Sequence, residues 1–223
     1  PADVNGDGFT DILAGNWGHN TKLYSGKNGP CKLYTNDFDK NGAVEQLMCY
    51  TIDGNEYPFL AKDELERRIP VLKKYYLNYK DVAGKTIQFI FFDLFKNYTE
   101  LKAEVLSSPC FINDGKGNFT RISLPEELQL APVMSFSKTV EPGFFIAGGN
   151  FYGTIPYEGR YDALLPTEFS FNKASGSFAT GFPIQDFDGE IRDIKWIKTA
   201  GNKKLLMLAG NNKELVFLKN RKG

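Results

Sequence analysis

Two short stretches carry the clearest chemistry in this chain. The first is Asp3-Val4-Asn5-Gly6-Asp7-Gly8-Phe9-Thr10-Asp11, and the second is Asp37-Phe38-Asp39-Lys40-Asn41-Gly42-Ala43-Val44-Glu45. They align without a gap. Oxygen-bearing side chains fall at positions one, three, five and nine: Asp3, Asn5, Asp7 and Asp11, then Asp37, Asp39, Asn41 and Glu45. Glycine holds position six in both, Gly8 and Gly42, where a tight turn needs it. Alternate side chains of such a loop converge on one point, and a backbone carbonyl at position seven, from Phe9 or Ala43, adds another oxygen. Six or more hard oxygens at about 2.3–2.6 Å suit calcium better than magnesium, which demands stricter geometry. Three carboxylates per loop repel one another unless a cation lies between them. An EF-hand begins similarly but needs a bidentate Glu at position twelve between helices. Here that position is Ala14 or Met48, and an apolar strand pattern follows. The competing reading is an Asp/Asn/Gly-rich turn without metal, and a second gapless copy weighs against it.

Weaker candidates surround these loops. Asp186, Asp188, Gly189, Glu190 and Asp193 form a compressed third version with position five missing. It reads first as an acidic turn leading into a strand. Asn113-Asp114-Gly115 reads as a hairpin turn. His19 is the only histidine and follows Gly15-Asn16-Trp17-Gly18, so any Ser–His–Asp or Cys–His arrangement must pass through a loop residue. No nucleophile elbow, P-loop or zinc spacing is present. Ser107-Ser108-Pro109-Cys110 reads as a turn into a strand. Trp17, Phe151, Tyr152, Tyr157 and Tyr161 lie in or near glycine-rich loops, where aromatic faces serve sugars or protein partners, or else pack between sheets.

The elements that must position these groups are mostly strands. Phe (19), Tyr (11) and Gly (22) are abundant, as in all-β proteins with glycine-rich turns. Ile12-Leu13-Ala14-Gly15-Asn16 recurs as Phe145–Asn150 and as Met207–Asn211, a strand ending in a Gly-Asn corner. Strands at Thr21–Tyr24 and Glu214–Leu218 follow the first and last copies. Hairpins are predicted around Asp114–Gly117 and Asn172–Gly176, and a three-strand meander over Arg192–Lys198, Lys204–Ala209 and Glu214–Leu218. Residues 62–107 break the pattern. Asp63 can cap a helix, Leu65, Ile69, Leu72 and Tyr76 share a helical face, and Pro70 kinks or restarts it. Thr86–Phe92 is strand or buried helix, and Thr99–Leu106 reads as helix. The fold expected is a mainly β propeller over 1–223, partial or of about four blades at ~40–45 residues each, with a helical insertion at 62–107 inside one blade.

Bulk properties narrow the function classes. Twenty-seven basic residues balance 27 acidic ones, which argues against nucleic acid as partner. Three cysteines, Cys31, Cys49 and Cys110, are too few and too odd for a disulfide framework; three buried thiols, or one pair, are the readings. No apolar run is long enough to span a bilayer. The chain opens directly before a finished motif, so we expect a piece of a longer protein.

Asp3–Asp11 with its following Ile-Leu-Ala-Gly-Asn, and Asp37–Glu45, resemble FG-GAP/VCBS repeats of integrin-α-like propellers. Asn36–Asp39, the Asp63–Tyr79 insertion, Phe111–Pro125, Gly149-Asn150-Phe151, Gly159–Asp162 and Arg192–Lys195 resemble the C-terminal region of large exported bacterial VCBS-repeat proteins of ASPIC/UnbV type. That resemblance implies Ca2+ in the two loops, through the eight side chains aligned above. It also implies an extracellular, periplasmic or outer-membrane surface location, and no settled activity. The later acidic loop departs from the pattern. The reading is a calcium-stabilised propeller that binds protein or glycan at the cell exterior, or serves as scaffold. A secreted carbohydrate-active hydrolase or lyase on the same fold is the alternative.

Overall fold

The computed structural model describes residues 1–23 and 29–219. Within them the chain is mainly β, with four antiparallel sheets and none closed into a ring. In chain order the elements begin with β1 (Ile12–Leu13), β2 (Cys31–Asn36), β3 (Glu45–Ile52) and β4 (Asn55–Pro58). Helix α1 (Lys62–Arg68), helix α2 (Ile87–Phe91) and β5 (Thr99–Ala103) follow. Then come β6 (Pro109–Asn113), β7 (Phe119–Ser123), β8 (Val133–Lys138), β9 (Phe144–Gly149), β10 (Thr167–Asn172) and β11 (Ser177–Pro183). The last three are β12 (Ile191–Lys198), β13 (Lys204–Gly210) and β14 (Val216–Lys219). No helix among the described residues is long and apolar enough to cross a membrane.

The chain separates into two compact units, Pro1–Asn20 with Ser107–Gly223, and Thr21–Leu106. The first holds three antiparallel sheets, ordered β1-β6-β7, β11-β10-β9-β8 and β12-β13-β14. Strand β9 shows how they stack. Its side chains alternate between faces. Phe145 and Ala147 enter a core with Cys110, Leu124, Leu128 and Phe169, while Ile146 faces the other way onto Ile191, Ile194, Leu206 and Leu208. Strand β9 is therefore buried on both faces, by two separate apolar clusters, while the edge strand β11 stays largely exposed.

The recurrent Gly-Asn corners have a packing cause. A Cβ on Gly15 would strike the carbonyl oxygen of Val133, and one on Gly149 that of Pro132, so backbone passes where only glycine fits. The asparagine that follows ties neighbouring chain. Asn150, at φ +82°, donates to the Leu164 and Gly189 carbonyls at 2.9 and 2.8 Å and accepts from the Leu164 amide at 3.0 Å. Asn211 donates to Glu190 at 2.7 Å.

The second unit is a four-stranded sheet, β4-β3-β2-β5, with helices on one face. The helical stretch lies between β4 and β5 of this one sheet. The unit that packs with it starts well before residue 62, because β2 and β3 share its core. Leu65, Ile69, Leu72, Ile87, Ile90 and Phe91 bury against Tyr34, Phe38, Leu47 and Cys49. Pro70 restarts the chain as a 3-10 turn, Pro70–Lys74. Three expectations are corrected. Thr99–Leu106 is not helical: Thr99–Ala103 is strand β5, paired with β2 from Cys31↔Ala103 to Thr35↔Thr99. Asp63 is not the cap of α1; Ala61 is, and the Glu64 carboxylate accepts its amide at 3.1 Å. Thr21–Leu23 is a turn, not a strand, and Tyr24 lies outside the described residues. The ambiguous Thr86–Phe92 run resolves as α2, capped by the Thr86 hydroxyl.

Candidate metal centres

Both acidic loops are hairpin-like excursions closed at the same register. Ala2 bridges Asp11 through two backbone hydrogen bonds of 3.0 and 2.7 Å, and Asn36 pairs Glu45 where β2 meets β3. These are positions zero and nine of each loop. Strand follows each one, β1 after the first and β3 from Glu45 onward.

Inside, the hydrogen bonds repeat position by position. The position-one carboxylate accepts the amides of positions five and six: Asp7 and Gly8 donate to Asp3 at 3.1 and 3.0 Å, and Asn41 and Gly42 donate to Asp37, both at 2.9 Å. Gly6 adds a third donor to Asp3 at 2.7 Å. The position-five side chain accepts the amide of position seven: Phe9 donates to Asp7, and Ala43 to Asn41, both at 2.8 Å. The position-nine carboxylate accepts the amide of position two: Val4 donates to Asp11, and Phe38 to Glu45, both at 2.8 Å. Gly8 and Gly42 share φ +92°. Thus Phe9 and Ala43 are present where position seven requires them, with their amides already engaged.

Burial repeats as well. Val4 and Phe38 at position two, and Asp11 and Glu45 at position nine, are all buried. Positions one, three and five stay at the surface or near it. Each loop therefore joins one buried carboxylate to three more exposed oxygen-bearing side chains.

Among the described residues only the second loop brings three carboxylates together; Asp3, Asp7 and Asp11 form no such group. One oxygen from each of Asp37, Asp39 and Glu45 lies within 4.8 Å of the others. Asp39 Oδ1 is buried and makes no hydrogen bond. Glu45 Oε2 is occupied by the Phe38 amide. In the first loop Asp11 is more fully engaged, since Oδ2 takes Val4 and Oδ1 takes the Asn113 amide at 2.9 Å. Asn5 donates to Asp7 at 2.8 Å. The Phe9 amide, then Asn5, hold the Asp7 carboxyl below its ordinary range.

The compressed third segment has a cation of its own. Lys213 Nζ donates to Asp188 Oδ1 and to the Asp188 carbonyl, both at 2.7 Å, and holds that carboxyl below its ordinary range. Glu190 is buried, which opposes its ionisation. Asn211 at 2.7 Å, the Tyr152 amide at 3.1 Å and Arg192 at 2.5 Å outweigh this, so its carboxyl is held low. An ammonium group takes the place that a metal has in the other two readings. Asp114 likewise closes a hairpin turn, accepting from Lys116 and twice from Asn118.

The remaining candidates fall into place by contact. Trp17 packs against Phe151 and Tyr161 with ring centroids 5.3 and 5.1 Å apart. Arg160 lies 4.9 Å over the Tyr152 ring, and Tyr157 stays exposed. The loop aromatics thus pack largely on one another. His19 is half exposed and 3.5 Å from Glu126, itself at the surface. Ser108 is fully buried and bonded to the Asn16 backbone. All three cysteines are free and buried. One contributor escaped the sequence reading, the apolar position two, visible as Val4 and Phe38 in the aligned loops; Asn113, read there as part of a hairpin turn, also reaches Asp11 through its backbone amide.

No known protein family, curated protein or solved structure matches this chain.

Proposed function

We propose that Asp3–Asp11 and Asp37–Glu45 each bind one calcium ion, and that the chain is a calcium-stabilised interaction module. The ligands are the side chains of Asp3, Asn5, Asp7 and Asp11, and of Asp37, Asp39, Asn41 and Glu45, with the Phe9 and Ala43 carbonyls. The observation that carries the reading is the convergence of Asp37, Asp39 and Glu45, together with a buried oxygen of Asp39 that no donor satisfies. Buried carboxylate oxygens ordinarily have partners, and a divalent cation supplies one to all three groups at once. The shared hydrogen-bond scheme of the first loop extends the proposal to it.

The finer architecture we propose is propeller-like. Consecutive antiparallel sheets stacked face to face, as β1-β6-β7, β8–β11 and β12–β14 are, are the build of propeller blades. On that reading the module is exported to the cell exterior or surface. Its partner is a protein or glycan taken up by loops carrying exposed groups such as Tyr157. The test is calorimetric melting after EDTA treatment and then with calcium or magnesium. A ligand held only by the native state raises the midpoint. Calcium raises it and magnesium does so less; a midpoint indifferent to calcium refutes both sites.

A further inference from the structure

The helical face of the Thr21–Leu106 unit carries exposed apolar side chains beside basic ones. Leu77 is 81% exposed, and Tyr75, Phe89 and Phe92 are each at least 40% exposed. Tyr75, Phe89 and Phe92 lie close to one another, and Leu77 follows two residues after Tyr75. The rings of Tyr75 and Phe92 meet at 4.8 Å, Tyr76 donates its hydroxyl to the Phe89 and Ile90 carbonyls, and Lys85 Nζ sits 5.0 Å over the Phe89 ring. Phe92 has φ +32°, a region that bulky residues rarely enter, and its ring is held outward beside buried Phe91.

Charge on this layer is divided unevenly. Its acids are engaged: Glu64 caps Ala61, Asp81 caps Asn78, Glu66 pairs Lys62, and Asp93 pairs Lys96. Asp63 lies 3.9 Å from Lys62. Arg67, Arg68, Lys73, Lys74, Lys80 and Lys85 form no ion pair among the described residues, and all six are exposed.

We infer that this face docks on a lipid surface bearing anionic headgroups. Exposed lysines complement such headgroups, and tyrosine and phenylalanine rings suit the boundary between headgroup and acyl chain. An acidic protein offers the same charge. It must also pack closely on the apolar atoms, however, and side chains that stand out as Leu77 does enter a fluid phase more readily than they fit a rigid surface.

The test is cosedimentation of the whole chain with phosphatidylcholine vesicles, with and without phosphatidylglycerol, in the presence of EDTA. Binding to the anionic vesicles alone, weakened by salt, is expected. The triple variant Lys73→Gln, Lys74→Gln, Lys85→Gln should bind about a hundredfold more weakly, and Leu77→Ser about tenfold. These side chains are exposed, so the variants keep the parent circular dichroism. Absence of binding, equal binding to neutral vesicles, or a triple variant that binds as the parent does overturns the inference. Binding that appears only when calcium is added, although the chain keeps its circular dichroism in EDTA, also overturns it, since the lysines would then not be the attracting groups.

Discussion

Replacing Asp39 by Asn should stabilise the metal-free protein and weaken its response to calcium. The sign follows from the cluster. Two unit charges 4.8 Å apart repel by about 0.9 kcal/mol in water and about 3.5 kcal/mol at an effective dielectric near 20. Asp37 and Asp39 are only partly buried, so solvent screening favours the lower figure. Asp39 faces two carboxylates, and its neutralisation relieves about 2 kcal/mol. The amide also brings hydrogens that Asp37 or Glu45 can accept. For the Thr21–Leu106 unit, which holds Asp39, that is a rise of about 8–16 °C in its midpoint measured in EDTA. With calcium the balance reverses. At a hundredfold excess over its dissociation constant one site adds about 2.7 kcal/mol, roughly 11–22 °C, to the Thr21–Leu106 unit that holds it. Asp39→Asn removes a charged ligand from the second loop and should abolish that site's share while leaving the first loop's. Scanning calorimetry in EDTA and in calcium reads both effects. A variant less stable than the parent in EDTA, or one with the full calcium-induced rise, refutes the reasoning.

Other consequences can be checked in the same material. Asn150→Ala should destabilise by about 3–5 kcal/mol in guanidinium titrations, because it orphans three buried backbone groups; a change under about 1 kcal/mol contradicts this. Glu190, whose carboxyl is held below its ordinary 4.5, contributes stability that is present above that value and is lost as pH falls through its lower folded value. Unfolding titrations of Asn211→Ala should therefore show a shallower loss toward acid than the parent. Burial, with Asp11 nearby, pushes the Cys110 thiol up to about 12, so iodoacetamide should label it only after denaturant is added.

The parts legible in the sequence are those fixed by local chemistry. Asp and Asn side chains accept backbone amides two to five residues away, so the two loops and the Asp114 and Asn172 turns declare themselves. The closing meander β12–β14 was readable from its strand lengths and glycine-asparagine turns. Long-range pairing was not. Thr99–Ala103 is exposed at every residue and holds Glu, Leu, Lys and Ala, all good helix formers; it becomes strand because β2 offers a free edge, which its own residues do not encode. The division at Thr21 and Leu106 follows from β1 pairing β6 across the intervening unit, Ile12 with Phe111. The apolar spacing at Leu65, Ile69 and Leu72 correctly marked a buried face. The same aromatic richness concealed that Tyr75, Phe89 and Phe92 face solvent.

Each unit of the chain contains one of the two loops, and the position-two residue explains why that placement has consequences. Val4 lies in the core cluster of the first unit with Cys110, Leu124 and Phe169, and Phe38 lies in that of the second with Tyr34, Leu47 and Phe91. The amide of each is held by the position-nine carboxylate, and that residue pairs with position zero across the loop's base. An ion gripping positions one to nine thus restrains both the closing pair and a residue inserted among the apolar side chains. Removing the ion leaves the carboxylates in mutual repulsion directly beside those anchors. Calcium would then act on each core through its own loop, so loss of one site should weaken one unit and leave the other's melting intact.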